Sequence, residues 1–142
     1  MQRNNQTITF CLLCIILSLL VVGIVSNTLM RHIIQITPVI LVFIITIRKI
    51  KWSSFAVLPL FIFWLVIMCF IWLYLLGIAN IVTGRFSPIE IIMTLLIGIC
   101  SLLGIIISFK NKTSEHFFEK ILVFLFFLLL QIGVMWMSLL QS

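Results

Sequence analysis

The chain has 142 residues, 64% of them hydrophobic and only 8% charged, with a formal net charge of +6. A water-soluble domain carries about a quarter charged residues, so this composition has to be solvated by lipid and reads as a single integral membrane domain. The basic residues fall in short clusters between apolar runs, which excludes the continuous basic face that nucleic acid requires.

The first apolar run, Ile8–Val25, follows the polar Met-Gln-Arg-Asn-Asn start. It exceeds the roughly 7–15 apolar residues of a signal peptide and lacks a small-residue cleavage site, so a retained span over 8–26 is expected. Leu13 before Cys14 does not fit a lipoprotein box. Cys11 and Cys14 form a C-x-x-C. With Arg3 the nearest cation, nothing beside them in sequence lowers a thiol pKa. Like Cys69 and Cys100, they read as small, soft apolar residues.

The second run contains Gln35, Thr37 and Pro38. If Asn27 or Thr28 caps it, a helix over 28–47 reaches about 30 Å at 1.5 Å per residue, with Pro38 as a kink. If Thr37 is the cap and Pro38 opens the helix, about ten residues are left, too few to span. The spanning, kinked helix is the expected form.

A third span is expected over 54–79, with Ser53 or Ser54 as cap and Pro59 near the start, where a missing N–H costs least. Its set Phe61, Trp64, Met68 and Trp72 recurs at helical spacing and forms either a packing face or a lipid-facing one. The fourth span is expected over 88–109. Ser87-Pro88-Ile89-Glu90 is a capping box with proline at the first helical position, a specific helix-start signal with little chemical content. The fifth is expected over 115–140, with Thr113 or Ser114 as cap and Glu115 in the first turn. Trp52, Tyr74 and Trp136 fall toward span ends, as interfacial aromatic residues do. The fold class is therefore all-α: a polytopic transmembrane bundle of five spans, or four if the Pro38 segment does not cross.

With five spans, the basic residues divide seven to two, only Arg31 and Arg85 lying on the minority side. With four spans Arg31 and Arg3 exchange sides and the ratio is unchanged. The positive-inside rule puts loops 48–53 and 110–116 in the cytoplasm and the C-terminus outside, in a bacterial inner membrane.

Two groups of polar residues are candidate sites. Arg31, His32, Arg85 and Glu90 share the outer face in the five-span form, where they serve either as separate anchors and caps or as a shallow pocket for an anion or a lipid head group. Gln131 lies near the middle of a span, and an amide in hydrocarbon needs a partner. Thr94, Gly98, Ser101 and Ser108 form a small-residue stripe on the fourth helix, expected to pack against the fifth or third helix and to supply that partner. No span carries a central Asp, Glu, Lys, Arg or His, which argues against proton-coupled antiport and charged relays. His32 and His116 lie at opposite surfaces, so no intramembrane metal site is expected. No catalytic or cofactor motif is found.

The leading expectation is a non-enzymatic bundle acting through protein or lipid contacts, as an accessory subunit or immunity-type protein does. Its partners would be the bilayer and another membrane protein or a second copy of the chain. A small oligomeric transporter or channel for a neutral or lipidic solute ranks second. An enzyme built on Arg31, His32, Arg85 and Glu90 ranks last.

Overall fold

The computed structural model describes residues 2–79, 86–110 and 116–140. They form five helices: α1 Gln2–Val25, α2 Leu29–Ile47, α3 Ser53–Leu75, α4 Pro88–Lys110 and α5 Phe117–Leu140. All five are long and apolar enough to cross a membrane. The bundle is all-α, and the chain is an integral membrane protein.

Pro38 lies inside a continuous α2 and is buried. A proline within a transmembrane helix forfeits one backbone hydrogen bond, which neighbouring helices and hydroxyl side chains can offset. Thr28 occupies the N-cap position of α2, but its side chain makes no capping bond. Its hydroxyl is engaged by Ser26 Oγ and by His32 Nδ1, while Asn27 turns the chain with φ 58°. The expected side-chain cap is therefore absent. At α3, the N-cap is Trp52, again without a side-chain bond, and Ser53 and Ser54 are already inside the helix and buried. The expected serine cap is corrected accordingly. Gly77, at φ 71°, lies in the turn that ends α3, because that left-handed conformation costs glycine nothing. Thr113, Ser114 and Glu115 lie outside the described residues.

The helices close into a ring. α1 packs on α2 and α4, α4 on α3, α3 on α5, and α5 on α2, with a smaller α2–α3 contact across the ring. Leu12, Ile15, Val39, Val42, Val57 and Phe61 form part of one buried cluster that fills the centre.

The seam between α3 and α4 is closely packed. A Cβ at Gly98 would collide with the Trp72 ring, and one at Gly104 with the Phe61 ring. Helices in lipid gain little from excluding water from one another, so they associate where large side chains enter small-residue gaps. Phe61, Trp64 and Met68 are all buried, which makes the aromatic set of α3 a packing face. The small-residue stripe of α4 thus meets α3. Among the described residues α4 and α5 do not pack together, so α4 does not supply the expected partner of Gln131.

One end of the bundle carries Arg48, Lys49, Lys51, Lys110 and Lys120. There Lys120 Nζ lies 5.2 Å from the centre of the Phe55 ring, a cation–π distance. The opposite end carries Arg31, His32 and Glu90.

Candidate functional site

At the end opposite the basic cluster, the ring of helices opens into a cavity of about 480 Å³. Every helix contributes to its wall. From α2 come Arg31, His32 and Gln35, which with Thr28 follow the i, i+3, i+4, i+7 spacing of one helical face. From α4 come Glu90, Thr94 and Ile97, and from α3 Trp64, Ile67, Met68 and Ile71. α1 adds Leu19 and Val22, and α5 adds Met135. Polar atoms gather at the mouth and aliphatic side chains form most of the wall.

The start of α4 is built by its own sequence. The Ser87 N–H donates to Glu90 Oε2 at 2.6 Å, and the Glu90 N–H donates to Ser87 Oγ at 3.3 Å. The reciprocal pair satisfies two helix-terminal donors, and the carboxylate sits favourably at the positive end of the helix dipole. One oxygen of Glu90 is thereby committed to structure.

His32 is held by the preceding turn of its own helix. Its Nδ1 lies 3.0 Å from the Thr28 carbonyl oxygen and 3.1 Å from Thr28 Oγ1. A carbonyl can only accept, so Nδ1 carries a proton and Nε2 is the open position of the neutral ring. The turn below is close-packed: a Cβ at Gly23 would stand 3.0 Å from His32 Cβ and 3.2 Å from Leu29 Cα.

Two cross-helix bonds brace the wall. Gln35 Nε2 donates to Ser138 Oγ at 2.9 Å, and Ser138 Oγ donates to the Met135 carbonyl at 2.7 Å. Trp72 Nε1 donates to Thr94 Oγ1 at 3.4 Å, and Thr94 Oγ1 donates to the Ile91 carbonyl at 2.8 Å. By contrast, Arg31 Nε and Trp64 Nε1 are buried donors with no partner among the described residues.

Three of the four residues expected to form an outer-face group, Arg31, His32 and Glu90, therefore line one cavity. The fourth, Arg85, lies outside the described residues. Thr94 joins them, whereas Ser101 and Gln131 do not line it. Ser101 and Gln131 are fully buried, and their side chains have no hydrogen-bond partner among the described residues. Thr94, Ser101 and Gln131 thus do not form one network. Sequence reasoning missed Gln35, Ser138 and Trp64. Gln35 was accessible as the i+4 and i+3 neighbour of Arg31 and His32, and Ser138 as the i+7 neighbour of Gln131. Nothing in the sequence distinguished Trp64 from the other large residues of α3.

As chemistry, the cavity offers one guanidinium, one imidazole, one carboxylate half-occupied by its own helix, and an indole N–H above an apolar wall. This suits binding of an amphiphile. Among the described residues no group of three His, Cys, Asp or Glu side chains is placed to hold a metal ion. Cys100 of α4 neighbours Cys11 and Cys14 of α1. Cys11 and Cys100 belong to the apolar core, away from the cavity wall.

The fold and cavity define a class, a five-helix integral membrane bundle with an axial cavity at one end. No family model, curated protein or solved structure matches the chain.

Proposed function

We propose that this chain is a small multi-pass protein of a bacterial inner membrane that acts by contact, holding a lipid-like amphiphile in its axial cavity. The observation that carries this reading is the cavity itself: about 480 Å³, with an aliphatic wall and a polar mouth formed by Arg31, His32, Glu90 and Thr94. Pockets that hold small molecules are mainly apolar with a few converging polar groups. The seven-to-two division of basic residues supports a cavity mouth in the outer leaflet, with the 48–53 and 110–116 loops in the cytoplasm. An accessory-subunit role fits the same reading, the amphiphile serving as the group passed to or shared with a partner.

The test is native mass spectrometry of protein purified in mild detergent, comparing wild type with the cavity-filling variant Ile67→Trp. Wild type is expected to retain a lipid-like molecule that the filled variant lacks. Equal retention by both, or none by either, would overturn the reading.

A second reading is a transporter for a lipidic solute. It is favoured by a separate cavity of about 360 Å³ toward the basic end, lined by Asn5, Thr9, Thr46 and Lys49 among others. The close-packed core separates the two ends in this conformation. Solute flux in proteoliposomes that is lost in Ser101→Leu would favour transport over holding.

A further inference from the structure

Building on the amphiphile reading, we infer that the occupant is an acidic lipid with two polar marks: an anionic head group held by Arg31, and a hydrogen-bond-accepting oxygen further along the chain held by Trp64. The cavity presents two donors that the protein leaves unused. Arg31 Nε is buried without a partner among the described residues, and Glu90, the carboxylate sharing the cavity, is bound to the Ser87 N–H. A buried guanidinium N–H left without a partner beside hydrocarbon is costly, and a phosphate or carboxylate is its natural complement.

Trp64 carries the second mark. The residue is 2% exposed and lines the cavity, and its Nε1–H has no acceptor among the described residues. A buried donor left without an acceptor keeps its full desolvation cost, so an occupant able to accept from it gains affinity there. The two donors sit at different depths. Arg31 is in the first turn of α2, whereas Trp64 is the middle residue of α3 and lies deeper in the bundle. A phosphate or carboxylate on Arg31 alone leaves the Trp64 N–H unmet. A lipid with a charged head and an ester carbonyl or hydroxyl further in offers a partner to each donor. Ile67, Met68 and Ile71 between the two levels offer no polar group to compete for the chain.

The experiment measures displacement of a fluorescent acyl probe from the full-length protein in detergent by four competitors. They are an acyl lysophosphatidic acid, its alkyl-ether analogue, the monoacylglycerol of the same tail, and glycerol 3-phosphate. The lysophosphatidic acid is expected to bind best. Removing the phosphate should cost about tenfold or more in wild type and little in Arg31→Gln. Replacing the ester by the ether should cost about fivefold in wild type and nothing in Trp64→Phe. These comparisons are ratios between ligands on one protein, so a folding defect in a variant does not mimic them; if Trp64→Phe fails to fold, the wild-type ester-to-ether ratio decides that half. Monoacylglycerol binding as tightly as the phosphate form, or an ether binding as tightly as the ester, overturns this inference and leaves the amphiphile reading intact. Glycerol 3-phosphate competing as well as the lipid assigns the site to a free phosphate and overturns both. Failure of every competitor and of the acyl probe also overturns both.

Discussion

The Gln35 side-chain amide donates to the Ser138 hydroxyl across 2.9 Å, joining residues 103 positions apart in sequence. Both are buried, and the bond ties the first turns of α2 to the last turn of α5 beside the cavity wall. Hydrogen bonds between membrane helices contribute about 0.6 kcal/mol on average and up to about 1.7. Ser138→Ala is expected to lower stability within that range in SDS-titration unfolding. Gln35→Leu combined with Ser138→Ala should cost less than the sum of the two single changes, since the second removes a group already orphaned.

Gly98 and Gly133 separate packing from propensity. At Gly98 an added methyl meets the Trp72 ring, whereas at Gly133 it meets nothing within 4 Å. Gly98→Ala is expected to destabilise by about 1–3 kcal/mol through overpacking. Gly133→Ala should be neutral or slightly stabilising, because alanine is the better helix former. The same unfolding assay reads both.

Gln131 is fully buried with neither amide atom bonded among the described residues. Replacing an unsatisfied polar group by an apolar one of similar shape removes a desolvation cost. Gln131→Leu is therefore expected to leave stability unchanged or raise it by about 1–2 kcal/mol. A loss of similar size would show that the amide has a partner in the membrane-embedded protein.

The capping box gives a different signature. Ser87→Ala removes the acceptor for the Glu90 N–H and is expected to cost about 0.5–2 kcal/mol. Glu90→Gln keeps an acceptor for the Ser87 N–H and should cost less. Loss of activity in Glu90→Gln with unchanged stability would instead assign the carboxylate a chemical role.

The helices were legible because their apolar runs have the length lipid requires, and Pro38 inside α2 followed from the shortness of any helix starting there. The caps of α2 and α3 were less legible. A hydroxyl such as that of Thr28 can serve Ser26 and His32 as readily as its own helix terminus. The order of helices around the ring was not legible at all. Every helix is apolar on most sides, so hydropathy does not say which faces meet. That choice rests on Trp72 and Phe61 finding Gly98 and Gly104, a fit of shapes that pattern alone does not reveal. At the site, the charged members Arg31, His32 and Glu90 stood out because charge is rare here. Trp64 did not, because its importance lies in an unmet N–H that appears only once its neighbours are placed.

Orientation has its own check. Reporter fusions at Met1 and at Ser142 are expected to read cytoplasmic and external respectively, as five spans and the basic loops require. An external reading at Met1 would contradict five crossings, and a cytoplasmic reading at Ser142 would contradict the charge-based orientation.

The central claim is that an acyl chain enters the axial cavity and does not merely coat the outer surface. Photo-crosslinking with a lysophospholipid bearing a diazirine in its chain, followed by peptide mass spectrometry, tests this most directly. Adducts are expected on cavity-wall residues Met68, Ile71 and Met135, and they should disappear in Ile67→Trp. Adducts confined to outward-facing residues such as Leu125 and Leu129, 48% and 67% exposed, would contradict it.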